Sequence, residues 1–153
     1  MCASISSWTS CGAREVEALL AVDSSAVIRR YVTDADRDLV MATMQDAPIW
    51  CASALVRPEV QATLHQLAFD RVQLDDLWRA FRADWDHMAR VPVDDRCLAR
   101  ATELATAFRV RIGDAIHLAA ADRLPRPVRF LTFDRRQISA ASELGLDVVS
   151  PFA

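Results

Sequence analysis

The chain contains no lysine; all eighteen of its basic residues are arginine. Two readings stand side by side: a compositional bias of the source genome, or a use for the planar guanidinium fork in recognising phosphate. Under either reading the absence excludes α/β phosphate chemistries that pair a lysine with the phosphoryl group, as response-regulator receivers and haloacid-dehalogenase-type phosphatases do. Glycine is scarce as well, three residues in all, and no Gly-rich loop exists that could cradle phosphates, which removes P-loop nucleotide enzymes. No apolar run approaches the ~20 residues a membrane helix needs, so no membrane partner is expected. The first residues, Met1 to Arg14, lack both a basic start and a long apolar stretch and do not read as a secretory signal, so a cytoplasmic protein is expected. Cys2, Cys11, Cys51 and Cys97 lack the short paired spacing of zinc sites and are read as free thiols, with Cys51 in the core.

What is present describes a compact, helix-rich globule. The 153 residues, 52% of them hydrophobic, suit one domain that buries roughly two thirds of its unfolded surface. No repeat, low-complexity tract or linker divides them. A formal charge of −3 argues against indiscriminate binding to phosphate backbones, although a global sum can hide a local basic face.

Periodicity orders the elements. Ala18 to Val22 is almost wholly apolar, as a strand buried on both faces of a parallel sheet is. Asp23 falls at its carboxyl end, and Ser24 or Ser25 can cap the helix that follows. Asp34 to Gln45 reads as a second helix, and Pro48 to Ser53 as a second strand. Ser53 is then a candidate cap for a helix from Ala54 to Phe69, with Glu59 in its early turns. Asp75 to Met88 and Leu98 to Phe108 are helical, Arg90 to Asp94 a short edge strand, and Asp114 begins a helix reaching about Leu124. Val128 to Phe133 is a third strong strand with Asp134 at its carboxyl end, Ile138 to Leu144 a helix closed by Gly145, and Asp147 to Ser150 a last strand. Strands alternating with helices imply a three-layer α/β/α sandwich around a parallel sheet with right-handed crossovers.

Ligands of such sheets collect at the carboxyl ends of the strands. Asp23 and Asp134 stand at such ends, and Glu59 and Asp114 sit early in helices, so the four acids can line one crevice. A carboxylate near a helix start is favoured without any function, so each acid alone is weak evidence. Their joint placement, with Ser25 and Thr132 beside them, is stronger. Clustered carboxylates repel and resist desolvation unless a cation joins them or some take up protons. An oxygen-only set suits Mg²⁺ or Mn²⁺, and with it metal-assisted phosphodiester hydrolysis. Haloacid-dehalogenase-type phosphatases are excluded again here, because they need a second Asp two residues after the first, where this chain has Ser25.

Four stretches in order carry a resemblance: Val-Asp-Ser-Ser-Ala-Val-Ile around Asp23, Glu59 at a helix start, Asp-Ala-Ile-His-Leu-Ala-Ala-Ala from Asp114, and Leu-Thr-Phe-Asp-Arg-Arg followed by Ala-Ala-Ser-Glu-Leu-Gly-Leu-Asp-Val-Val around and after Asp134. Over about Leu19 to Pro151 the chain resembles PIN-domain ribonucleases of the VapC toxin type. The resemblance implies a PIN-like fold over residues 17–153 and an Mg²⁺- or Mn²⁺-dependent endoribonuclease whose metal-binding acids are Asp23, Glu59, Asp114 and Asp134. It implies that Ser25 contacts a metal-bound water or phosphate and that Thr132 orients Asp134. Implied partners are RNA, a cognate VapB-type antitoxin that masks the site, and a second copy in a homodimer. Residues 1–16 precede the usual family start and are read as a disordered extension or a misassigned start, with Val16 as an alternative initiator. The rival reading is a non-catalytic PIN-like binding module or orphan partner, against which stand intact acids at all four positions.

Two further groups of residues carry open readings. Arg109 and Arg111 precede Asp114, and Arg135 and Arg136 follow Asp134; these pairs are candidates for RNA phosphate contacts or ordinary solvated charge. His117, one turn after Asp114, is read first as a hydrogen-bonded core histidine and second as a catalytic base, while His65 and His87 are peripheral. The stripe Trp78, Phe81 and Trp85 is assigned to packing or dimer contact ahead of base stacking.

Overall fold

A computed structural model describes residues 17–153. The expectations for residues 1–16, including the thiols of Cys2 and Cys11, lie outside the described residues. Five parallel strands, β1 (Leu19–Val22), β2 (Trp50–Ser53), β3 (Ala89–Val91), β4 (Val128–Leu131) and β5 (Asp147–Val149), form one sheet in the order β3-β2-β1-β4-β5. Seven helices connect them: α1 (Ser24–Arg29), α2 (Arg37–Asp46), α3 (Val56–Leu67), α4 (Arg71–Trp85), α5 (Asp95–Phe108), α6 (Ile112–Asp122) and α7 (Arg135–Glu143). The order reverses between β1 and β4, whose registers align Val22 with Leu131, and that reversal opens a crevice at their carboxyl ends.

Side-chain alternation along the strands divides the interior in two. Leu20 and Val22 of β1, Ala52 of β2 and Leu131 of β4 pack with Val27, Val40, Met44, Val56, Leu64 and Phe81 from α1 to α4. The intervening residues Ala21, Val128 and Phe130 face the other way, against Leu104, Ile116, Leu118 and Ala140 from α5 to α7. The same period of two places Ser53, Asp23 and Thr132, each at or just beyond a strand's carboxyl end, on the α6 side of the sheet. The sandwich and its parallel sheet are therefore as the periodicity implies.

Helix starts differ from expectation, and each difference has a local cause. Asp23 itself, not Ser24 or Ser25, caps α1, its side chain accepting from the Ala26 amide. Ser53 does not cap α3; that helix starts at Val56 behind Leu55, which makes no side-chain cap bond, and the Ser53 hydroxyl is turned to His117 instead. Helix α4 begins four residues before Asp75 because Asp70 accepts from the Gln73 amide. Helix α6 begins at Ile112, which leaves Asp114 in its first turn rather than at its cap. Helix α7 begins at Arg135 behind the cap Asp134, three residues before Ile138. At its far end Gly145 adopts φ 74°, and the Gly145 and Leu146 amides donate to Ser142 and Ala141 in a Schellman closure. Cys51 and Cys97 are buried free thiols. Phe81 and Trp85 are buried in the core, as the packing reading of their stripe requires. No helix of the described residues is long and apolar enough to cross a membrane.

Candidate active site

The crevice is built outward from Asp23, which is 3% exposed. Its Oδ1 accepts from the Ser25 hydroxyl at 2.7 Å and the Ala26 amide at 3.0 Å, while Oδ2 lies 2.8 Å from Thr132 Oγ1. Burial pushes the Asp23 carboxyl above its ordinary value, against the lowering influence of His117, Ser25, Ala26 and Thr132. Thr132, fully buried after β4, ties the two central strands together: Oγ1 also accepts from the Asp134 amide at 3.0 Å and lies 2.6 Å from Gln137 Oε1. One hydroxyl hydrogen serves either Asp23 or Gln137 at a time, while Gln137 Nε2 donates to the Asp114 carbonyl at 3.4 Å. Thr132 thus holds the backbone of Asp134, and its hydroxyl meets the carboxylate of Asp23 rather than that of Asp134.

Ser25 is equally engaged. Its hydroxyl donates to Asp23 and accepts from the Phe133 amide at 2.9 Å, bridging the ends of β1 and β4. Asp134 is half-buried and caps α7 by accepting from the Arg136 amide at 2.9 Å. Asp114, half-buried on α6, is raised above the ordinary carboxylate range first by burial and then by repulsion from Asp134 and Asp23, with His117 and Arg111 opposing. Its Oδ2 is buried and has no hydrogen-bond partner.

Glu59 reaches the crevice from the opposite helix layer. Its Oε2 accepts from the Ser24 hydroxyl and from His117 Nε2, the latter at 2.7 Å. Burial alone would raise the Glu59 carboxyl, but these two hydrogen bonds and the attraction of His117 bring it below its ordinary value. Its Oε1 lies against the first turn of α6, 3.4 Å from where a Cβ on Gly113 would stand.

The oxygen-only donor set, the repulsion that Asp134 and Asp23 exert on Asp114, and the unpartnered Asp114 Oδ2 all fit a hard divalent cation. Among the described residues no three His, Cys, Asp or Glu side chains converge tightly enough to serve together as direct ligands. That is compatible with Mg²⁺, which keeps several waters and takes one or two protein carboxylates directly. A cavity of about 520 Å³ near Met44, Pro48, Trp50 and Asp84 lies at the amino end of β2, the wrong end of the sheet for this chemistry.

The profile of the PIN domain family matches residues 20–143. The chain is a PIN-domain protein of the VapC type. It is 33% identical over 135 residues to ribonuclease VapC46 of Mycobacterium tuberculosis (strain ATCC 25618 / H37Rv), covering 88% of this chain and 98% of the relative. Its fold is shared by FitAcB from Neisseria gonorrhoeae (TM-score 0.65, 14% identity, 88% of this chain and 98% of that one). It is shared too by a toxin-antitoxin complex from Klebsiella pneumoniae (TM-score 0.61, 18% identity, 88% and 97%). A third likeness is to VapBC2 from Rickettsia felis bound to a promoter DNA fragment (TM-score 0.61, 11% identity, 86% and 98%).

Around the acids of this PIN domain stand the arginines. Arg109, Arg111, Arg135 and Arg136 are all exposed. Arg109 ends α5 in the left-handed conformation, φ 55°, which turns the chain sharply into α6. Arg111 lies within electrostatic reach of Asp114, and Arg135 stacks its guanidinium 4.1 Å from the Phe152 ring centre. Three participants went unread in the sequence. Gln137, fully buried, braces Thr132, and Ser24 holds Glu59. Arg29 lies 4.3 Å from the Phe133 ring centre at the rim, and its buried Nε has no hydrogen bond despite Asp34 Oδ1 at 3.4 Å. Only Arg29 carried a signal, being one helical turn past Ser25, whose carbonyl it holds at 2.7 Å.

Proposed function

We propose that the protein is an Mg²⁺- or Mn²⁺-dependent endoribonuclease, the toxin of a toxin-antitoxin pair, which hydrolyses RNA phosphodiester bonds at the crevice between β1 and β4. The observation that carries this reading is the gathering of Asp23, Asp114 and Asp134 at one topological switch point, with the buried Asp114 Oδ2 left without a protein partner. Asp23, Asp114, Glu59 and Asp134 would hold the ion, directly or through its waters. Bound there, the ion supplies a nucleophile from water near neutral pH and offsets charge on the leaving oxygen.

The chain's own residues perform the remaining work. Thr132, Ser25 and the Ala26 amide fix Asp23 in one orientation, so little reorganisation is needed when substrate arrives. Arg109, Arg111, Arg135 and Arg136 offer guanidinium groups to the RNA backbone on either side of the acids. The similarity to ribonuclease VapC46 supports an RNA substrate. The fold shared with solved toxin-antitoxin and VapBC assemblies supports a cognate antitoxin that covers the crevice, and a homodimer in the cytoplasm completes the proposal.

The test is cleavage of mixed cellular RNA by purified protein in EDTA and after addition of Mg²⁺ or Mn²⁺, alongside Asp23→Asn and Asp114→Asn. Metal-dependent cutting that both variants abolish while remaining folded is expected. RNA binding without cleavage at any metal concentration would instead identify a non-catalytic binding module.

A further inference from the structure

His117 is 5% exposed, yet each of its ring nitrogens has a polar partner from a different element. Nδ1 lies 2.9 Å from Ser53 Oγ at the end of β2, and Nε2 lies 2.7 Å from Glu59 Oε2 on α3. A carboxylate only accepts, so Nε2 carries a proton toward Glu59, and the Ser53 hydroxyl can donate to Nδ1. Packing beneath the ring leaves a void of only about 10 Å³, among Ala21, Ala52, Ser53 and Ala120, so the imidazole has no room to turn aside. Ser24 Oγ lies 3.3 Å from Nε2 and donates to the same Glu59 oxygen. Ser24 is no triad nucleophile, because it and Glu59 both meet Nε2. Ser53, on Nδ1, is only 3% exposed, too buried to reach a substrate.

This arrangement divides the labour of the two Glu59 oxygens. Oε2 is held by Ser24 and His117, whereas Oε1 is left beside Gly113 at the first turn of α6, next in sequence to Asp114. Glu59 comes from the opposite helix layer, and the imidazole is what joins it to α6 and β2. We propose that His117 is a positioning residue acting through Glu59. By fixing Oε2 it presents Oε1 to the crevice as the oxygen offered to the divalent cation, and Ser53 sets the tautomer that makes this possible. The inference rests on the metal-site reading above and goes beyond it in giving the buried histidine a defined task. Hydrogen bonds behind a ligand commonly change metal affinity 10–100-fold.

Two substitutions separate positioning from packing. His117→Gln places its amide near Nε2 and keeps the bond to Glu59, whereas His117→Asn places its amide near Nδ1 and keeps only the bond to Ser53. Mn²⁺ binding to each full-length variant, followed by electron paramagnetic resonance of free Mn²⁺, is compared with thermal stability and with kcat and KM on RNA. The expected result is affinity within about threefold of wild type for His117→Gln and at least tenfold weaker for His117→Asn, with kcat falling and KM nearly unchanged. Equal Mn²⁺ affinities in the two variants, whatever their stabilities, overturn the proposal. If His117→Asn does not fold, His117→Gln decides: retained affinity supports positioning, and a tenfold loss overturns it. Wild-type protein that binds no Mn²⁺ defeats the metal-site reading itself. Binding that Asp114→Asn weakens, with both His117 variants alike, defeats only this inference.

Discussion

Replacing Thr132 by valine tests the junction between the two central strands. The substitution nearly conserves shape, so it opens little cavity and its cost is that of lost hydrogen bonds. Three polar atoms surround Oγ1: Asp23 Oδ2 at 2.8 Å, Gln137 Oε1 at 2.6 Å and the Asp134 amide at 3.0 Å. Asp134 is half-buried and can turn to water, but Asp23 and Gln137 are buried. Leaving a buried polar group unpaired costs about 1–3 kcal/mol, so two of them predict a loss of about 2–6 kcal/mol for Thr132→Val. Thr132→Ser keeps the hydroxyl and removes one methyl, at about 1 kcal/mol. In a domain of this size the valine variant should melt roughly 5–15 °C lower and the serine variant only a few degrees lower. The direction of the pH effect follows from Asp23. The bond from Thr132 lowers its carboxyl, so valine lifts the folded-state value further, and the deficit should be larger at neutral pH than in mild acid. Urea denaturation in EDTA at both pH values measures this. A valine variant no less stable than the serine variant would refute the reasoning.

Other consequences are independent of that junction. Asp114 is raised by burial and by its acidic neighbours, so its contribution to folding is complete below its unfolded value and is lost as pH rises through the folded one. Asp114→Asn should therefore raise the melting temperature of the metal-free protein at neutral pH, flatten its pH dependence and abolish the stabilisation that Mn²⁺ confers on wild type; a lower melting point in EDTA would contradict this. Arg111→Ala should weaken RNA binding and reduce the steepness of its salt dependence by about one unit, whereas an unchanged slope would place Arg111 off the RNA path. Asp84 accepts from Arg30 and Tyr31, each at 2.7 Å, at the opposite end of the sheet. Asp84→Ala should cost about 1–3 kcal/mol in urea denaturation yet leave kcat on RNA within about twofold, because the paired groups are only partly exposed and lie far from the acids.

Legibility in the sequence followed the range of the physical cause. Leu19–Val22 and Val128–Leu131 were readable as buried strands because both of their faces are covered, which demands apolar residues throughout. Asp23 was readable as a strand-end acid for the same reason, whereas β4 ends at Leu131, short of the expected Phe133, and Asp134 follows three residues later as the cap of α7. Helix starts were less legible, since Asp23, Ser24 and Ser25 can all cap and only the surrounding contacts choose: Ser25 is drawn to the Phe133 amide, leaving Asp23 to close α1. Ser53 illustrates the point again, as a reasonable helix cap whose hydroxyl is claimed by a histidine 64 positions away.

By itself the sequence determined the parallel α/β class and the places of Asp23, Glu59, Asp114 and Asp134 near strand ends and helix starts, because composition and short-range periodicity carry those facts. Only the tertiary structure decided how the acids are held. Asp23 meets Thr132 because β1 and β4 are neighbours at the point where the strand order reverses. Glu59 joins from the other helix layer through His117 and Ser24, contacts spanning 58 and 35 positions that no local pattern encodes. Hydrogen bonds of that range exist only once the sheet has placed its helices, which is why the acids could be named in advance and their partners could not.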